Sequence, residues 1–161
     1  MTVPWDRLGP AQAHDAPTLL VDLARCIGCH TCSVACKVEH AVPLGAFRMR
    51  VRWLEAADGR MSFLPLFDHD TCDLGAARGG VGMPPACVSA CPTDALVFGD
   101  GADSGSDVSR KAAARSADVL ADRRDSKEGV LYAGYAGWMD DKLNRGVALD
   151  PADDDITYEQ R

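Results

Sequence analysis

The sequence predicts an α+β fold: two weakly repeated halves of strand, cysteine loop, short helix and strand, parted by an inserted β-hairpin and followed by a C-terminal helical and extended tail. Three observations predict it. Cys26, Cys29, Cys32 and Cys36 crowd together, while Cys72, Cys87 and Cys91 form a second, looser region. A short apolar run leads into the first region and another leads out of the second. Between the two regions the chain alternates apolar and polar residues with period two, the mark of a half-buried strand.

Taken in order, residues 1–17 are rich in Pro, Ala and polar groups and read as an arm, with Trp5 packed locally. Thr18 to Leu23 is a strand entering the cysteine loop. Gly28 suits a backbone that must close with its N–H groups turned inward. Thr31 to Glu39 reads as a short helix that sets Cys36 one turn beyond Cys32, and Pro43 and Gly45 end it. Phe47 to Glu55 puts Phe47, Met49, Val51 and Trp53 on one face and Arg48, Arg50 and Arg52 on the other. Asp58-Gly59 is a hairpin signal, and Met61 to Phe67 returns as a second strand weakened by Pro65. Pro92 ends the short helix carrying Cys91, Ala95 to Phe98 is the closing strand, and Gly99-Asp100-Gly101 is a turn.

This divides the chain into an N-terminal arm (1–17), a core domain (18–100, with the hairpin insert at 47–68) and a tail (101–161). The tail opens with an alanine-rich helix of about four turns over Val108 to Asp122. Tyr132, Tyr135, Trp138 and Tyr158 then stand among many acids, as in an arm laid over another surface.

Composition narrows the function. The net charge of −7 argues against a nucleic-acid partner, and no apolar stretch reaches the 18 residues of a membrane span. The N-terminus lacks a basic region followed by an apolar run, so no signal peptide is expected and the cytoplasm is favoured. The alternative is export in the folded state with a signal-bearing partner. Seven cysteines cannot all pair, and a disulfide would strain so short a loop, so thiolate–metal chemistry in a reducing compartment fits better.

The spacing C-x2-C-x2-C-x3-C is that of bacterial ferredoxins, in which the first three thiols hold one cluster and the fourth ligates another. Cys87-x3-Cys91-Pro92 is the closing half of a second such run. Four-ligand zinc sites built from two C-x2-C knuckles would be overfilled by this pattern. Cys26, Cys29, Cys32 and Cys91 are thus expected to hold a [4Fe–4S] cluster. Cys36, Cys72 and Cys87 are left for a second cluster, because Gly75 stands where C-x2-C would place another cysteine. Three thiolates suit [3Fe–4S]; a [4Fe–4S] cluster would need a further ligand such as Asp73, Asp70 or His69. A site one thiolate poorer should have the higher potential. Lys37 is a cation beside a ligand, able to tune a cluster or bridge to a partner, and Arg48, Arg50 and Arg52 offer either a solvated face or a dock for an acidic partner. No Ser/His/Asp set, phosphate loop or paired carboxylates stand out, so no catalytic site is expected, and the four histidines are scattered.

Residues 21–29 and 35–37 resemble the opening motif, and Pro85 to Asp100 the last motif, of the iron–sulfur subunits of molybdopterin oxidoreductases, the dimethyl sulfoxide reductase type. Asp107-Val108-Ser109-Arg110 is similar to the segment that follows that last motif. The resemblance covers about residues 18–110. It departs from the family in keeping two cysteine runs where four are usual, and in Gly75. It implies a ferredoxin-like, pseudo-twofold dicluster domain in a shortened two-cluster form. It further implies a subunit docked on a large catalytic subunit with a molybdenum or tungsten bis-pterin centre, embraced by the tail, and exchanging single electrons with an external carrier. The alternative from the residues alone is a free-standing dicluster ferredoxin serving several partners.

Overall fold

The computed structural model describes residues 16–79, 83–120 and 127–144. Trp5, Tyr158 and most of the expected N-terminal arm lie outside them. The elements run β1 (Pro17–Asp22), α1 (Thr31–Glu39), β2 (Met49–Glu55), β3 (Met61–Phe67), α2 (Ala76–Gly79), α3 (Ala86–Ser89), β4 (Leu96–Asp100), α4 (Asp107–Ala114), β5 (Val130–Ala133) and α5 (Gly137–Asn144). The architecture is mixed α/β with two small sheets.

β1 is the centre. It pairs antiparallel with β4 and parallel with β5, giving the order β4-β1-β5. Its apolar run is continuous because both faces are covered. Leu19 and Val21 face the main core, while Leu20 faces α4 with Val108, Ala112 and Ala133. α4 begins at Ser106, whose Oγ accepts from the Ser109 N–H at 3.2 Å and donates to the Asp100 carbonyl at 2.7 Å.

The helix expected to span four turns from Val108 stops at Ala114. Ser116 turns into the left-handed region (φ 48°), and Asp118 then makes an isolated antiparallel bridge to Tyr132. Alanine content favoured more helix; a strand partner won. The same strand changes the reading of the tail. β5 lies on β1, Val130, Tyr132 and Met139 join the main core, and the Tyr132 hydroxyl donates to the Pro65 carbonyl at 2.8 Å. The described part of the tail is therefore laid over this chain's own sheet.

β2 and β3 form a separate antiparallel hairpin with Val51 opposite Pro65. The proline is tolerated because β3 has one neighbour only. The expected alternation holds at buried Met49 and fails at both ends: Phe47 is 47% exposed, Trp53 is 65% exposed and Leu54 is buried. Two-stranded ribbons twist strongly, and this one rotates its faces along its length. Trp53 stacks obliquely on Phe63, ring centroids 6.1 Å apart. Among the described residues no helix is long and apolar enough to cross a membrane.

Candidate metal centres

The seven cysteines line two cavities. The first is lined by Cys26, Cys29, Cys32 and Cys91, with Ile27, His30, Val51, Pro65 and Leu96 among its walls. The loop between β1 and α1 supplies Cys26 and Cys29, and α1 supplies Cys32 in its first turn. Gly28, at φ 68°, lets that loop lie against the Phe63 ring, where any Cβ would collide. Its N–H donates to Cys26 sulfur, and the Thr31 hydroxyl donates to Cys29 sulfur at 3.3 Å. The short helix expected to carry Cys91 ends at Ser89 instead, so Cys91 stands just past α3, its N–H bonded to the Val88 carbonyl at 3.1 Å.

The second cavity is lined by Cys36 from α1, Cys72 from the loop after β3 and Cys87 from α3. Arg48, Asp73, Gly75, Pro85 and His40 complete much of its wall. Asp73 to Ala76 is a tight turn. Leu74 and Gly75 both have positive φ (50° and 76°), and the Ala76 N–H donates to the Asp73 carbonyl at 3.1 Å. Asp73 Oδ1 accepts from the Gly75 N–H at 3.0 Å. A Cβ on Gly75 would stand 2.7 Å from Pro85 Cγ and 2.9 Å from its Cα. Turn and packing together select glycine where the spacing alone would suggest cysteine.

The hairpin serves both cavities. Val51 and Pro65 wall the first; Arg48, Met49 and Phe67 wall the second. Cys32 and Cys87 both join the main core, and the Cys32 charge acts on Cys87.

The electrostatics follow burial. Desolvation pushes the Cys32 thiol up to about 11 and the Cys87 thiol to about 12, with neighbouring sulfurs adding to it. Burial raises Cys26, Cys36 and Cys72 as well. The Asp73 charge adds to the rise at Cys72 and Arg48 opposes it more weakly, whereas at Cys36 the Arg48 charge opposes the rise and outweighs that of Asp73. Cys29, at the surface, is lowered by its hydrogen bond from Thr31. Without metal these are mostly neutral thiols; the charge that makes them thiolates must come from what they bind.

The sulfurs line the walls of two separate cavities, four on one and three on the other. A mononuclear zinc site needs all its sulfurs about 2.3 Å from one centre. A cavity walled by thiols suits a multi-iron cluster better. A second feature fits the same group. Arg48 Nε is buried and has no hydrogen-bond partner among the described residues, beside the second cavity. An acceptor in that cavity would satisfy it.

The remaining expected site residues fall out as follows. Asp73 lines the second cavity, paired with Arg48 at 3.0 Å. His69 and Asp70 pair with each other at 3.0 Å at the surface and do not line it. Lys37 donates to the carbonyls of Pro43 (3.3 Å) and Ala46 and covers the Phe47 ring, tying down the loop after α1. Arg50 and Arg52 are half-buried on the hairpin and line neither thiol cavity. Sequence reasoning missed His40, which lines the second cavity. The signal was its position four residues past Cys36, on the same helical face.

No protein-family model matches the chain. It is 38% identical over 84 residues to a subunit of the tetrathionate reductase of Archaeoglobus fulgidus, a match covering 50% of this chain and 33% of that protein. It is 40% identical over 80 residues to the thiosulfate reductase electron transfer subunit of Salmonella typhi (49% and 32%). To the formate dehydrogenase iron-sulfur subunit of Wolinella succinogenes it is 37% identical over 74 residues (45% and 32%). The chain spans about a third of the length of these curated relatives. The resemblance to the iron–sulfur subunits of molybdopterin oxidoreductases, read above from two cysteine motifs, is borne out by these similarities.

Proposed function

We propose that this chain is an electron-transfer subunit that holds two iron–sulfur clusters and relays single electrons to or from a large molybdenum- or tungsten-pterin catalytic subunit. Its core is a ferredoxin-like dicluster domain with pseudo-twofold character. Cys26, Cys29, Cys32 and Cys91 hold a [4Fe–4S] cluster. Cys36, Cys72 and Cys87 hold a second, [3Fe–4S] or [4Fe–4S] with one ligand other than cysteine. Bound there, the clusters supply one-electron redox chemistry. The chain's own part is to hold the thiolates, exclude water with Leu96, Val51, Pro65 and Phe67, and set each potential through the walls. The chain itself carries no catalytic site, and its electrons pass on to an external carrier.

The observation that carries this reading is the sorting of all seven cysteines into two sets, each around its own cavity, with Cys32 and Cys87 sharing the core between them. A partner is supported by the relatives' names as subunits and by large apolar side chains left in solvent, among them Ile27, Val34, Val38, Leu44 and Trp53. The compartment proposed is the cytoplasm, with folded export beside a signal-bearing partner as the alternative.

The test is anaerobic purification of the chain from its native cell with metal, sulfide and native-mass analysis. A large companion carrying molybdenum or tungsten, near one-to-one with this chain, is the expected result. A lone chain carrying only iron and sulfide would leave a free ferredoxin instead. A chain carrying zinc would sink both.

A further inference from the structure

The two cavities differ in one respect that cysteine spacing does not account for. Among the described residues, the wall of the first contains no Lys, Arg, Asp or Glu. The wall of the second contains Arg48 and Asp73. Arg48 stands at the foot of the hairpin, where its carbonyl accepts from the Asp68 N–H at 2.9 Å. Its side chain is 20% exposed. One terminal nitrogen is taken by Asp73 Oδ1 at 3.0 Å, and that oxygen is itself fixed by the Gly75 N–H. Nε is buried and unpartnered among the described residues.

A guanidinium N–H is a strong, always-charged donor, and leaving it buried without an acceptor is costly. Asp73 is not the missing acceptor, since it already holds the other end of the fork. What the position shares is a cavity with Cys36, Cys72 and Cys87, and sulfur is the acceptor such a site supplies when loaded. Asp73 acts as the positioning residue, clamped by its own turn so that Arg48 keeps its direction. Its side chain, at 37%, is more exposed than that of Arg48, so water screens the carboxylate better than the guanidinium.

We propose that Arg48 is a cation built into the second centre. Its Nε–H donates to a sulfur of the cluster there, and its charge raises that cluster's reduction potential above what the thiolate set alone would give. The inference rests on the iron–sulfur reading above. Hydrogen bonds to sulfur and local charge both stabilise the more negative, reduced form, so both act in the same direction.

The test is an EPR-monitored redox titration of the intact chain, purified anaerobically in its native assembly, with the first cluster as internal control. Arg48→Met removes donor and charge in an apolar side chain of similar length. It should lower the second potential by at least a tenfold change in the oxidised-to-reduced ratio, about 59 mV for one electron, and leave the first in place. Arg48→Lys keeps the charge without the fork and should fall between. An exchangeable-proton coupling on the second cluster's paramagnetic state should vanish in Arg48→Met. Should Arg48→Met fail to retain the second cluster, Arg48→Lys decides: a lowered potential supports the proposal, an unchanged one overturns it. An unmoved second potential in Arg48→Met, or an equal shift of both clusters, also overturns it. Absence of iron and sulfide from the unmodified chain would instead overturn the cluster reading, and this inference with it.

Discussion

The two thiol cavities are made in different ways. The first takes three of its four thiols from one short stretch, Cys26 to Cys32, and its other walls are mostly apolar. The second draws Cys36, Cys72 and Cys87 from three separate segments, and its wall carries polar groups: Arg48, Asp73 and His40 face it, with Gly75 at the bend. A contiguous stretch can be specified by spacing, because neighbours in sequence are already neighbours in space. The second centre exists only once β3, α1 and α3 have packed. Such a cavity is open to adjustment by every segment that meets there, which is why its thiol count, charge and turn geometry all depart from the first.

The sharpest break of this comparison is loss of one thiol from each side. Cys87→Ser should abolish the second centre and spare the first, while Cys29→Ser, at the exposed edge of the loop, should do the reverse. Iron and acid-labile sulfide per chain, with EPR, read the outcome. Loss of both sets of iron from either variant would show one cooperative unit in place of two centres.

Next in size is an attempt to make the second centre like the first. Gly75→Cys restores the spacing but places a Cβ 2.7 Å from Pro85 Cγ at a φ of 76°. A non-glycine residue held there costs about 1–3 kcal/mol, so the variant should melt lower and keep its original iron count. A stable variant with one more iron per chain would mean that the turn yields easily and that only the thiol was missing.

Acidity offers a comparison in the metal-free protein. Cys32 and Cys87 are the deep thiols of the two sets, raised to about 11 and about 12 from an ordinary value of 9.0. Folded pKa values above unfolded ones mean stability that is complete below about pH 9 and drains as pH rises toward the folded values, because the unfolded chain releases protons the fold retains. The apoprotein's melting temperature should therefore fall between about pH 9 and 11. The loaded protein should hold through that window, since its thiols are already ionised, and weaken in acid, where protons compete for sulfur. Thermal melts across pH in both forms check this. In the apoprotein Cys29, exposed and lowered, should alkylate first and Cys87 last.

Much of this was legible in the sequence where the determinants are local. β1, α1, β3 and the turn between β2 and β3 fall where apolar runs, cysteine spacing and Asp58-Gly59 put them. Three things were not legible. The arginine stripe is not a plain solvated face, because Leu54 on its side is buried and Arg48, just ahead of β2, lines the second cavity. The helix after Val108 is half the expected length, because Asp118 finds Tyr132 across the chain. The tail's aromatics read as a surface for something else, whereas Tyr132 is buried in this chain's own core. Each depends on a partner distant in sequence, and no periodicity records that.

The smallest effect separates the two cavities through that tail. Tyr132 donates its hydroxyl to the Pro65 carbonyl at 2.8 Å, and Pro65 walls the first cavity but not the second. Tyr132→Phe keeps the ring in the core and removes one buried hydrogen bond, leaving the Pro65 carbonyl without that donor. The cost should be about 1 kcal/mol, a drop of about 2–4 °C in melting temperature for a chain of this size. If β5 is a strut for the first centre, the loosened proline should also admit water there. Ferricyanide or oxygen should then bleach the first cluster faster than in the unmodified chain, with the second unaffected. Equal sensitisation of both clusters would show that Tyr132 supports the core as a whole, and that the walls of the two centres move together.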